Sequence, residues 1–175
     1  TWPGNDKLLK GKHNIEINFK DYGKVKLELD ADVAPITVTN FVNLVNEEFY
    51  NGLTMHRIID GFMIQGGDPL ADGTGGSKNT IKGEFSSNNV DNDISHVRGV
   101  ISMARSNEAN SASSQFFIVH KDSTHLDGNY AAFGHVIEGI EVVDKIVEST
   151  SEYGDGNGLI PRDKQPVIEY IKIVD

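Results

Sequence analysis

Arg57 is the residue best placed to do chemistry in this chain, because of its neighbours. It stands in the stretch Met55–Asp68, MHRIIDGFMIQGGD, a few residues before a tight turn at Asp60-Gly61, with Phe62, Met63 and Gln65 beyond the turn and then a glycine pair. One cation beside an aromatic ring and a thioether describes an apolar pocket with one strong hydrogen-bond donor on its wall. Such a site holds an apolar group next to a carbonyl, which suits a peptide better than a phosphate. Two later blocks extend it. Ser113-Ser114-Gln115-Phe116-Phe117 adds an amide and an aromatic, and His125-Leu126-Asp127-Gly128 with Tyr130-Ala131-Ala132-Phe133-Gly134 adds more apolar bulk beside turns. Gln65 and Gln115 are neutral amides suited to the backbone of an extended peptide. No nucleophile with a base beside it and no acid–base pair accompanies these groups, so the chemistry implied is non-covalent: bind a peptide and bias one of its torsions. The competing reading of a lone strand arginine is half of a structural ion pair.

Other motifs carry less. Gly66-Gly67 to Gly73-Thr74-Gly75-Gly76 lacks the order of a phosphate loop and reads as turns. Asp91-Asn92-Asp93 and Asp68/Asp72 lack the ligand spacing of a calcium loop. The six histidines, His13, His56, His96, His120, His125 and His135, form no zinc pattern, so no metal site is expected. Ser113 and Ser114 have no nucleophile elbow around them.

The elements that must position these residues can be read from periodicity. Ile15, Ile17 and Phe19, then Val25, Leu27 and Leu29, alternate with polar residues around Asp21-Tyr22-Gly23, which predicts a β-hairpin. Pro35 opens a helix to about Glu48, with Val38, Phe41, Leu44 and Val45 on its apolar stripe. Leu53–Ile59, Phe62–Gln65, Gly99–Met103, Phe116–His120, Ala132–Ile137 and Val167–Val174 read as strands, and Gly139–Glu148 as a second helix. Gly66–Glu84 and Ser149–Gln165 read as loops. Residues 1–12 read as an N-terminal arm, with Trp2 against the domain surface, and 13–175 as one domain. Many short strands without βαβ alternation predict a mainly β fold, a closed antiparallel barrel or sandwich with two helices covering its ends.

Composition sets outer bounds. The chain has 175 residues and a formal net charge of -10, which argues against nucleic acid or an anionic membrane as the main partner. There is no cysteine, so disulfides and thiolate chemistry are excluded. No apolar run approaches the ~20 residues of a membrane span. A cytoplasmic monomer is expected, and a secreted or surface-anchored form stays open because the chain begins at Thr1.

The blocks MHRIIDGFMIQGGDP, HVRGVISMAR, NSASSQFFI and HLDGNYAAFGHVIEG, in this order, resemble the cyclophilin peptidyl-prolyl isomerases, over about His13–Val174. The second block and HLDGNYAAFG look like the bacterial-type members. The resemblance implies an eight-stranded closed antiparallel β-barrel capped by two α-helices, and catalysis of X–Pro rotation in peptides and folding proteins without a cofactor. It implies Arg57, Phe62 and Gln65 as catalytic residues, Met63, Phe117 and Leu126 around the proline ring, and Ala104, Arg105 and Gln115 along the peptide backbone. His125 stands where the best-known members carry a cyclosporin-binding tryptophan, so weak cyclosporin binding is implied. Tyr130 stands in place of a histidine and still closes the pocket. Arg105 replaces an asparagine, Asp60 replaces the usual proline of the turn, and Ser86–Ser95 looks longer than in the family. Two other functions compete: a proline-peptide binding chaperone or scaffold with little catalysis, and a barrel carrier for a small apolar ligand. Bulky inward residues Ile15, Ile17, Val25, Leu27, Val100 and Ile101 argue against the carrier.

Overall fold

Eight strands and two α-helices appear in the computed structural model, which describes residues 7–175. The strands are β1 Lys12–Phe19, β2 Gly23–Asp30, β3 Met55–Ile59, β4 Met63–Gly66, β5 Val100–Met103, β6 Phe116–Val119, β7 Ala132–Glu138 and β8 Ile168–Ile173. The helices are α1 Pro35–Asn46 and α2 Ile140–Thr150. Trp2 and the first half of the expected arm lie outside the described residues. The second half is docked: the Leu9 amide donates to Thr39 Oγ1 at 2.8 Å, and the Leu9 side chain packs on the core.

The β1–β2 hairpin pairs in the register its alternation demands, Ile15 opposite Leu27 and Ile17 opposite Val25, which puts all four on one buried face. Helix α1 begins at Pro35, where a missing N–H costs nothing. Its first-turn amides are served from far away in the chain. The buried Glu84 carboxylate accepts from the amides of Ile36 and Thr37 and from the Thr37 hydroxyl. The helix stops at Asn46, short of Glu48, whose φ of 60° leaves the helical region. Phe41 carries the helix into the core, with its ring centroid 5.0 Å from Tyr50, 5.5 Å from Phe116 and 5.3 Å from Phe133.

All eight strands form one antiparallel sheet in the order β3-β4-β6-β5-β7-β2-β1-β8. The expected closed barrel is not formed: β3 and β8 are edges, joined outside the strands by a single bridge, Thr54 to Val167. The sheet curls far enough for the amides of Gly52 and Met55 to donate to Ile168 and Pro166 carbonyls, and for Ile168 to donate to Leu53. The ladder goes no further for two reasons. Pro166 has no N–H to give. From Arg57 on, the outer edge of β3 is occupied by the loop around Leu159, where Ile58 donates to Gly158 and Ile160 to His56. Among the described residues no helix is long and apolar enough to cross a membrane.

Alternation gives the sheet two apolar layers. Ile15, Ile17, Val25, Leu27, Ile58, Ile64, Phe116, Ile118 and Ile101 fill the inside with α1 and α2. Met63, Phe117, Val119, Leu126 and Ala132 form a second, smaller cluster on the other face. Val100, expected inside, belongs to this outer cluster, since its neighbour Ile101 takes the inward position.

Candidate active site

The outer cluster is open at one end, and the opening is a cleft of about 140 Å³ lined by Arg57, Phe62, Met63, Gln65, Ala104, Arg105, Phe117, Leu126 and Tyr130. Drug-sized ligands occupy clefts of roughly 300–1,000 Å³, so this one fits a single ring better than an extended cofactor. Register explains the assembly. Arg57 on β3 pairs with Gln65 on β4, Gln65 with Phe117 on β6, and Phe117 with Ser102 on β5, so these four share one row across the outer face. Met63 lies two residues from Gln65 and falls on the same face. A bulge at His56, where the β3–β4 pairing shifts between Met55 and Arg57, brings the arginine into that row. The opposite strand tolerates no bulk there: a Cβ on Gly66 would run into Met55 Sδ and the Thr54 carbonyl.

Arg57 is not half of an ion pair. Among the described residues no carboxylate lies within ion-pair distance of it. Its Nε donates to the Asn157 carbonyl at 2.7 Å and its Nη1 to Gln65 Oε1 at 3.3 Å. Gln65 Nε2 in turn donates to Gln115 Oε1 at 3.0 Å, and Gln115 Nε2 to the Gly73 and Gly75 carbonyls at 3.0 and 2.7 Å. The guanidinium is thus aimed by neutral acceptors, and among the described residues its Nη2 has no hydrogen-bond partner. Removing one acceptor in this chain would let the others swing.

The remaining walls are aromatic. Phe117 meets Tyr130 edge-on at 5.8 Å, and the buried His96 ring stacks beneath Phe117 at 5.9 Å. His96 is itself held by Asp127 at Nδ1 and Ser102 at Nε2. Arg105 lies between Phe85 and Tyr130, its Cζ 4.7 and 5.0 Å from the two ring centroids, and donates to the carbonyls of Asn129, Ser106 and Asn107. Gln115 sits at the rim as the link to the glycine loop and lines the adjoining cleft, as Arg105 and Ala104 also do. His125 does not line the cleft. It is exposed, with its ring 5.6 Å from Phe62, and supports that ring from outside. Sequence reading missed Phe85, Asn157 and His96. Phe85 and Asn157 have no motif of their own, His96 opens the block HVRGVISMAR without a role legible there, and only the fold brings the three to the site.

His56, beside Arg57 and 1% exposed, has no hydrogen-bond partner among the described residues at either ring nitrogen. Burial pushes its pKa below the ordinary histidine value of 6.5, with Asp68 opposing and Arg57 reinforcing. Burial pushes His96 down as well, against the pull of Asp127. The unfolded chain therefore takes up protons at these sites before the folded one does. Their stabilisation is fully present above pH 6.5 and is lost as pH falls through the lowered folded values. His13, held above 6.5 by its hydrogen bond to Asp175, acts in the opposite direction over this range, so in a His13→Asn background urea titrations should give a lower midpoint at pH 5.5 than at pH 7.5, with a slope of at most about 1.4 kcal/mol per pH unit for each of the two buried histidines. His56→Leu should flatten that dependence; a variant with an unchanged dependence would show that His56 does not contribute to it.

A family model described as cyclophilin type peptidyl-prolyl cis-trans isomerase/CLD matches residues 14–175. The chain is 42% identical over 157 residues to peptidyl-prolyl cis-trans isomerase A of Dickeya dadantii, covering 87% of this chain and 80% of that one. It is 46% identical over 123 residues to peptidyl-prolyl cis-trans isomerase B of Bacillus subtilis, covering 70% and 82%. Among solved structures, the crystal structure of a cyclophilin type peptidyl-prolyl cis-trans isomerase of Cryptosporidium parvum matches with a TM-score of 0.82 at 29% identity, covering 94% of this chain and 98% of that one. A second crystal structure of that protein, in the presence of the dipeptide Ala-Pro, matches with a TM-score of 0.81, covering 93% and 99%.

Proposed function

The chain belongs to the cyclophilin-type peptidyl-prolyl cis-trans isomerase family, and on that premise we propose that the cleft between Arg57 and Tyr130 is where it turns X–Pro bonds. The enzyme catalyses cis-trans isomerisation of those bonds and so assists protein folding; a binding module without catalysis is not favoured, its curated relatives being isomerases. The observation that carries the placement is the cleft itself, with the Arg57 guanidinium aimed by neutral acceptors beside a hollow of ring size.

The barrier to rotation is amide resonance, ~18–20 kcal/mol, and unassisted exchange takes tens to hundreds of seconds. Catalysis here needs only tighter binding of the twisted amide than of either planar form. As the C–N bond twists, the prolyl nitrogen becomes pyramidal and recovers its lone pair. The unused Nη2 donors of Arg57 meet that nitrogen or the prolyl carbonyl, an interaction that is strongest at the twisted geometry. Phe62, Met63, Phe117 and Leu126 hold the ring while the acyl side rotates, and their low polarity disfavours the dipolar planar form. Gln65 aims Arg57, and Gln115, Ala104 and Arg105 run along the peptide backbone. Tyr130 closes the end of the hollow against Phe117.

Proline-containing peptides and folding chains are the substrates, taken by a monomer. Cyclosporin binds weakly, because His125 offers a small polar ring outside the cleft in place of an indole. Phe117→Ala tests the cleft. It removes the floor and should raise KM and lower kcat together on an Ala-Pro peptide, with kcat/KM falling about tenfold or more, as loss of a buried aromatic of ~1.5–3 kcal/mol implies. Unchanged constants would remove Phe117 from the site.

A further inference from the structure

Outside the cleft, one polar cluster grips the hairpin that carries it. His120 comes directly after β6 and is 7% exposed. Its amide donates to the Phe62 carbonyl at 2.8 Å, and its ring Nδ1 accepts from the Gly61 amide at 3.0 Å. Both bonds fall on the two residues that lead from the Asp60–Gly61 turn into the cleft. On the other side of the ring, Nε2 lies 3.2 Å from Asp144 Oδ1 on α2. Arg98 clamps that carboxylate with both terminal nitrogens, at 2.8 and 2.6 Å, and also donates to the His120 carbonyl at 2.9 Å.

The partners dictate the tautomer. Gly61 has only a donor to offer, so Nδ1 must present its lone pair; the proton then sits on Nε2, on the side where Asp144 Oδ1 lies 3.2 Å away. Asp60 Oδ1 lies 3.7 Å from Nδ1, beyond hydrogen-bond range, and is largely exposed. The charged groups facing the ring are therefore Asp144, Arg98 and Asp60. The turn needs an outside restraint. Gly61 has φ 78° and almost unlimited freedom, and Asp60 does not fix its own φ as a proline would.

We propose that His120 is a positioning residue for turnover: its Nδ1 lone pair holds the Gly61 amide and so sets the direction in which Phe62 enters the cleft, while Asp144 keeps the imidazole in the tautomer that does this. The assignment rests on the cleft being the site of isomerisation. A purely structural salt-bridge cluster would tie α2 to the segment after β6 but would leave kcat/KM untouched once the protein is folded.

The test uses the whole chain. His120→Ala should lower kcat/KM on an Ala-Pro peptide about tenfold, the upper range for one lost hydrogen bond. His120→Asn, whose Oδ1 accepts from Gly61 in place of Nδ1, should recover most of that loss. Long-range 15N spectra of the wild-type protein should show the His120 proton on Nε2. Wild-type turnover in the alanine variant, an asparagine variant as slow as the alanine one, or a proton on Nδ1 would each overturn the proposal. The 15N measurement decides even where the alanine variant fails to fold. Absent turnover in the wild-type protein would count against the cleft instead, and the tautomer would still judge His120.

Discussion

Replacing Arg57 with alanine is expected to lower kcat/KM on a cis Ala-Pro peptide by about ten- to a hundredfold while leaving the protein folded. The size reflects the interaction removed, a hydrogen bond from a charged donor worth ~1.5–3 kcal/mol, felt mainly in the twisted state and so mainly in kcat. The fold should tolerate the change because Arg57 supports little structure. It is half-buried, and among the described residues its side chain has no carboxylate partner and bonds only to the Asn157 carbonyl and Gln65. Arg57→Lys should not rescue it, since an ammonium cannot reach Asn157 and Gln65 with fixed donors and still present a third. Circular dichroism and thermal melting alongside the exchange assay separate loss of catalysis from loss of fold. Wild-type turnover in a folded alanine variant would refute the role given to the guanidinium.

Phe41→Ala is expected to have the largest effect on stability, about 3–5 kcal/mol. Phe41 is fully buried, and three aromatic rings, those of Tyr50, Phe116 and Phe133, touch it from β6, β7 and the turn after α1. Tyr50 is fixed in turn by its hydroxyl, which donates to the Ser114 carbonyl at 2.8 Å, so the rings cannot easily close over the hole. For a chain of this size each kcal/mol moves the melting temperature by roughly 2–4 °C, which puts the expected drop at about 6–20 °C. Well below the new midpoint, turnover should stay near wild type, because Phe41 lies on the inner layer and the cleft on the outer. Calorimetry checks this; a drop under about 3 °C would mean the core is not organised around Phe41.

The contrast between these two residues shows which parts of the molecule the sequence expresses. Phe41 and the β1–β2 hairpin were legible because burial on one face imposes a period, and a period survives in one dimension. Arg57, Phe62, Met63, Gln65 and Phe117 were legible for a different reason: each lies in a short block whose residue types make little sense apart from a peptide pocket. The structure places all five around one cleft. His125 read the same way but faces Phe62 from outside, since its block begins in a short turn, Thr124–Leu126, in which only Leu126 is buried. The closed barrel was expected because many short strands follow one another without βαβ alternation. Closure fails at Pro166 and at the loop around Leu159, two local facts that no hydrophobic pattern encodes. Arg98, His120 and Asp144 were invisible as a group, being separated in the chain and joined only where Asp144 of α2 meets the residue that follows β6.

The central claim is that this one cleft both binds the X–Pro segment and turns it. It is tested most directly by exchange NMR of an Ala-Pro peptide with substoichiometric 15N-labelled protein, which reads peptide isomerisation and protein contacts in one sample. Accelerated cis-trans exchange, with shifts concentrated at Phe62, Met63, Gln65, Phe117, Leu126 and Tyr130, is the predicted result. Peptide binding there without accelerated exchange, or acceleration with the shifts centred on the exposed groove of Leu70, Tyr153 and Leu159, would contradict it.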